Sequence, residues 1–241
     1  MLSLLLFLLL AFVSEIIGTL GGFGSSVFFV PMAEFFFEFK TVLMLTAILH
    51  DFSNTAKLLM FRTHINYRLL VRFGIPSVLF VTAGAWLSAY LNPEFNNLLL
   101  GSFLVAFSMF FFMKPSFQVA PSRFNAVAGG SAAGFFAGLI GTGGAIRGMS
   151  MAAFNLEKSV FVATSAGIDF FVDLSRTIVY GSNGYFEQKH WIYVPFLFLV
   201  AFTGTWAGKF FLGKMSQERF RQVVLTLLLL TGFVLVGKAI L

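Results

Sequence analysis

The chain contains no cysteine, which excludes disulfides, thiolate catalysis, iron–sulfur clusters and thiolate zinc sites. Charge is nearly as scarce. Ten acidic and 16 basic residues make up 11% of 241 positions, against about 25% in soluble domains. Hydrophobic residues reach 58% and the mean hydropathy is +0.90. No core of this size hides so much apolar surface, so the solvent must be a bilayer. Residues 1–39 hold no Lys or Arg. Without a positive n-region or a small-residue cleavage site, the first apolar run reads as a retained segment and not a signal peptide. Also missing are a Walker loop, His-Glu-x-x-His, Gly-x-Ser-x-Gly, a metal-spaced cluster and any evident nucleophile–base pair, so no cofactor, metal or ATP-driven role is indicated. The net charge of +6 falls in short connections, where it sets orientation and does not mark a nucleic-acid surface.

What the chain does have, it has twice. Gly18-Thr19-Leu20-Gly21-Gly22-Phe23-Gly24-Ser25-Ser26 reappears as Gly138-Leu139-Ile140-Gly141-Thr142-Gly143-Gly144-Ala145-Ile146. The offset is constant: 138 minus 18, 141 minus 21 and 144 minus 24 all give 120. Gly84-Ala85-Trp86 and Gly204-Thr205-Trp206 keep the same offset. Each glycine run interrupts a long apolar stretch. In lipid, bared backbone is tolerated only where protein covers it or a polar cavity meets it, and matched breaks in two halves point to a binding site.

The expected fold is an all-α integral membrane protein of two repeats. Repeat 1 covers 1–113, with a glycine-broken hairpin at 2–37 and helices at 41–61, 73–91 and 96–113. A linker at 114–123 follows. Repeat 2 covers 124–241, with a hairpin at 124–155, a hinge at 155–158 and helices at 159–180, 191–212 and 220–240. Cations then choose between parallel and inverted halves. The connection at 62–72 carries Arg62, Arg68 and Arg72, while its counterpart at 182–190 has only Lys189 against Glu187. The connection at 92–97 has no cation, while 209–221 has Lys209, Lys214, Arg219 and Arg221. The basic side swaps between halves, as inversion requires. This places 62–72, 114–123 and 209–221 in the cytoplasm and both termini outside a bacterial-type inner membrane. Clusters such as Phe35-Phe36-Phe37 and Phe110-Phe111-Phe112 are expected to face acyl chains. Trp86, Trp206 and the small residues Gly84, Ser88, Gly204 and Gly208 are expected in helix packing, and His190, Trp191 and Tyr193 in an interfacial belt.

A helix restarting after each break would aim unpaired N–H groups and a positive dipole end at the tip. Gly21, Gly22, Gly24, Ser25, Ser26, Gly141, Thr142, Gly143, Gly144 and Arg147 are therefore the candidate anion site. The alternative role for these glycines is close helix packing, and for Arg147 an ion pair with an acid such as Glu157. A second signal lies on the following helices. Ser165, Asp169, Asp173 and Arg176 step by 4, 4 and 3, and Thr46, His50, Asn54 and Lys57 repeat the step at an offset of 119. An offset of 118 would instead pair Asp51 with Asp169. Charges at the centre of a spanning helix cost about 2.5–3.5 kcal/mol each, so these faces must turn inward, with Asp173–Arg176 a natural pair. Glu15, His50, Asp51, Asn54, Lys57, Asp169, Asp173 and Arg176 read either as a proton-coupling network or as structural glue.

The paired glycine runs, with Pro31 after the first, resemble the TauE/SafE family of sulfite and organosulfonate exporters. The resemblance implies transport of a small sulfur-containing anion such as sulfite, a sulfonate or thiosulfate. The expectation is a secondary transporter in the lipid bilayer whose partners are that anion and coupling protons. A passive anion channel with the same site is the alternative, with an intramembrane enzyme or assembly factor behind it.

Overall fold

The computed structural model describes residues 2–21, 24–91, 93–117, 122–141, 143–144, 146–147, 158–212, 214 and 216–240. Gly22 and Thr142, the hinge at 155–157 and Glu157 lie outside the described residues. Among those described there is no strand. The helices are α1 (Leu2–Gly21), α2 (Ser26–Ala33), α3 (Phe39–Phe61), α4 (Tyr67–Leu87), α5 (Pro93–Met113), α6 (Arg123–Ile140), α7 (Lys158–Ser182), α8 (Val194–Leu212) and α9 (Gln217–Ile240). Some helices begin earlier than hydropathy predicts, because polar caps set the start. Asn66 accepts a hydrogen bond from the Leu69 N–H at 3.1 Å, and Ser122 accepts one from Asn125 N–H at 3.0 Å, each satisfying an orphan donor of the first turn. Arg68 and Arg72 consequently sit on the exposed first turns of α4 and not in a loop.

Among the described residues, three stretches are long and apolar enough to cross a membrane: Leu2–Leu20, Tyr67–Tyr90 and Gln188–Phe211. Their outer faces carry exposed Leu5, Leu9, Leu79, Phe80, Leu199 and Phe210. The charged helices α3 and α7 pack against each other, with α3 also on α8 and α7 on α4. Their polar faces are thereby hidden.

Small residues set the tightest crossings. On α6, a Cβ added to Gly130, Gly134 or Gly138 would meet the carbonyl oxygens of Phe73, Ser77 and Val81 on α4. Glycines spaced by four on one helix lie over residues spaced by four on the other, so the backbones touch. On α8, Gly204 and Gly208 receive Glu15 and Thr19 of α1, and Gly101 of α5 meets Gly232 of α9. The helix pairing has its own regularity. Advancing α1 by 120 residues gives α6, and advancing α4 gives α8. The α1–α8 contact thus maps onto α6–α4, while α3–α7 and α5–α9 map onto themselves. The helix pairing is thus unchanged by the repeat offset.

After the first break the chain turns back along α1. Gly18 lies against Gly24 and Ser25, Ser14 meets Met32, and Phe7 meets Phe29, Phe36 and Phe37. Several phenylalanines expected in lipid are therefore core residues: Phe7, Phe28 and Phe29 are buried, because α2 needs an apolar sleeve on every side. His190 corrects the interfacial belt, being buried against Phe37 and Tyr193, while Trp191 stays exposed. The packing role expected for Trp86 and Trp206 is also corrected. They are 58% and 66% exposed, since their glycine neighbours face the partner helix and the next-but-one position must face outward.

Candidate functional site

The side chain of Arg147, just beyond the second glycine run, approaches the first run. Gly24 adopts φ +83°, a left-handed conformation that a side chain disfavours, and a Cβ there would lie 3.5 Å from Arg147 Nη2 and 3.6 Å from His50 Cε1. Beside this junction is a narrow cavity lined by Gly18, Thr19, Gly24, Asn54, Lys57, Ser165 and Asp169 among others. Its walls leave room for little more than one water.

Not every glycine of the two runs serves it. Gly141, at φ +76°, closes α6 as a left-handed cap, with its N–H bonded to the Ala137 carbonyl at 3.0 Å. Around it stand Leu43 and Val30, so its part is the turn. Gly143 lies against Ala133 and Ala137, where only hydrogen fits. Gly21 ends α1, and Gly144 and Ser26 are helical.

Around the cavity the polar residues form a network spanning both halves. Ser25 Oγ hydrogen-bonds Glu15 Oε1 and lies 2.8 Å from His50 Nε2. On the other ring nitrogen, His50 Nδ1 is 3.5 Å from Asp173 Oδ2. The order is carboxylate, hydroxyl, imidazole, carboxylate. This corrects the expectation that no nucleophile–base pair exists, because Ser25 and His50 come together only when α2 folds onto α3. A hydroxyl already bonded to a carboxylate, and fully buried, suits proton movement better than attack on a substrate.

Glu15 also faces Lys57 Nζ at 3.8 Å and Thr205 Oγ1 at 3.5 Å. Lys57 donates to Ser53 Oγ at 2.7 Å. Asp173 accepts from Asn54 Nδ2 at 2.7 Å and pairs with Arg176 Nη2 at 2.8 Å. Arg176 Nη1 reaches on to the carbonyls of Ala137 and Gly141, at 3.3 and 3.1 Å. Asn54 contacts Asp173 directly, 119 positions away. Asp51 does not meet Asp169; it accepts from Thr177 at 2.9 Å.

Arg147 is buried and held by side chains of α7. Its Nε donates to Ser165 Oγ at 2.9 Å, and Nη1 forms an ion pair with Asp169. The fork expected for an anion is thus occupied by a carboxylate of the protein. Several participants were missed from sequence, Ser53 and Thr177 among them, and two stand nearest the candidate site. Thr205 is 190 positions from Glu15, with no periodic signal joining them. Thr19, inside the quoted motif, lines the cavity with a fully buried hydroxyl that has no hydrogen-bond partner. Its alternation with the glycines was the available sign.

The family model described as Sulfite exporter TauE/SafE matches residues 6–235, nearly the whole chain. No curated protein matches, and no solved structure does.

Proposed function

The chain belongs to the TauE/SafE sulfite exporter family, and from that premise we propose that this membrane transporter carries a small sulfur oxyanion such as sulfite, a sulfonate or thiosulfate. The observation that carries the reading is the apposition of Gly24 and Arg147 beside a polar cavity. One break supplies close backbone and the other a guanidinium, whose planar fork matches the oxygens of a sulfonate or sulfite group. Thr19 adds a hydroxyl donor that has no partner in the protein.

In this reading each glycine-broken stretch is a hairpin entering from one side, and the two repeats are inverted about a pseudo-two-fold axis. Both termini lie outside, and the membrane is a bacterial-type inner membrane. The cavity as it stands is too narrow for a sulfonate, which favours a carrier passing through a closed state over a standing pore. Rocking of the halves would open the cavity to either side. Glu15, Ser25, His50 and Asp173 form the proton path that accompanies this motion.

Flux of sulfite and of an alkanesulfonate into proteoliposomes tests the reading. Wild type should give saturable, trans-stimulated flux. Arg147→Ala and Gly144→Val should abolish it while the protein stays monodisperse. Undiminished flux in both variants would defeat the site, and flux without saturation or trans-stimulation would make the protein a channel.

A further inference from the structure

The buried ionic groups around the cavity balance. Among the described residues, Glu15, Asp169 and Asp173 are opposed by Lys57, Arg147 and Arg176. An anion arriving at Arg147 therefore meets a site whose charge is already neutralised, and in which a further uncompensated charge is costly. We propose that the Asp169 carboxylate is a tethered stand-in for the substrate: the oxyanion displaces it from Arg147, and the displaced Asp169 takes up one proton. The proposal deepens the oxyanion reading and rests on it.

Three observations carry the inference. Asp169 is ion-paired to Arg147, whose guanidinium lies 3.5 Å from where a Cβ on Gly24 would stand. Asp169 itself lines the cavity, so an anion entering there meets its carboxylate directly. What faces it across that cavity is Lys57 and Asn54 of α3 and the Thr19 hydroxyl of α1, and the two α3 residues are already engaged. Lys57 is shared with Glu15 and Ser53, and Asn54 is bonded to Asp173. On its own helix stand Ser165, Asp173 and Arg176, the last two paired with each other, and His50 of α3 lies beyond, at Asp173. From α4, which also packs on α7, the charged residues are Arg68 and Arg72, both exposed.

With Arg147 given up to the substrate, the other buried cations are already engaged, Lys57 with Glu15 and Arg176 with Asp173. Protonation restores neutrality: the anion brings one negative charge, the aqueous proton cancels that of Asp169, and the ledger is unchanged. Anion and proton then travel together by electrostatic necessity, with Asp169 as both the competitor and the proton carrier.

The test uses the full-length protein in detergent or nanodiscs and methanesulfonate, an anion that does not itself titrate near neutral pH. Sulfite replaces it, with its own titration subtracted, if methanesulfonate does not bind. Calorimetric titration in buffers of different ionisation enthalpy should show about one proton taken up per anion. Affinity should fall about tenfold per pH unit as pH rises, because the ionised carboxylate must be protonated on binding. Asp169→Asn should bind the anion more tightly, with no proton uptake and a flat pH profile. Binding by wild type without proton uptake overturns the proposal. So does an Asp169→Asn variant that still takes up a proton, which would move the proton to His50, or one that binds more weakly. If the variant does not fold, the wild-type proton count and pH slope decide alone. If neither anion binds wild type at all, it is the oxyanion reading that falls, and this proposal with it.

Discussion

Asn54 of α3 and Asp173 of α7, 119 positions apart, touch each other, Nδ2 to Oδ2 at 2.7 Å. Asp173 holds Asn54, Arg176 and His50 together. Asp173→Ala leaves the Arg176 guanidinium buried without its acid and should cost about 3–5 kcal/mol. Asn54→Ala removes one hydrogen bond to a charged group and should cost about 1.5–3 kcal/mol. Thermal unfolding in detergent should rank them in that order, and the double variant should lose less than the sum.

Helix crossing gives a sharper contrast. Gly134 of α6 lies on the Ser77 carbonyl of α4, where no side chain fits, while Gly237 of α9 has nothing within 4 Å of an added Cβ. Gly134→Leu should therefore prevent recovery of monodisperse protein. Gly237→Ala should leave the unfolding temperature unchanged or raise it, alanine being about 1 kcal/mol better than glycine within a helix. Equal behaviour of the two would mean that α4 and α6 do not cross at this stripe.

Thr19→Val separates binding from folding. The hydroxyl is buried without a partner, so replacing it by an isosteric methyl should not destabilise the free protein. If the hydroxyl donates to the anionic substrate, the loss of one hydrogen bond to a charged group, about 1.5–3 kcal/mol, should raise the Kd by about tenfold to about a hundredfold. Isothermal titration with the anion, run beside a thermal melt of the free variant, reads both.

Sidedness can be mapped without background because the chain has no cysteine. Thr63, Glu94, Asn183 and Ser216 are exposed positions between helices or at their ends. A membrane-impermeant maleimide should label Thr63→Cys and Ser216→Cys from the cytoplasm, and Glu94→Cys and Asn183→Cys from outside. Labelling of all four from one side would rule out inverted halves.

Much of the site was legible as faces. The step of 4, 4 and 3 identifies which side of α3 and α7 must avoid lipid, and Asp173–Arg176, one turn apart, pairs as that spacing predicts. Periodicity within a helix says nothing about which neighbour it meets, however. The Arg147–Asp169 pair depends on how the second break lies over α7, and Glu15–Thr205 on how α1 crosses α8. Glu15 shows the difference most clearly. From sequence it is a lone acid in an apolar run, yet folding places Ser25, Lys57 and Thr205 around it. The matched tryptophans misled for the same reason, because a shared offset reports common ancestry of two segments and not which way a ring points.

Arg176 and Tyr180 both grip the last turn of α6, through the carbonyls of Ala137, Gly138 and Gly141. A helix end clasped by two side chains from one neighbour cannot pivot independently of it. The final turn of α6 and the body of α7 should thus travel as a single lever. Ser25, whose hydroxyl links α2 to Glu15 and His50, is a far lighter latch. Mechanical compliance belongs on that side of the molecule, and strain applied across the cavity should be released there first.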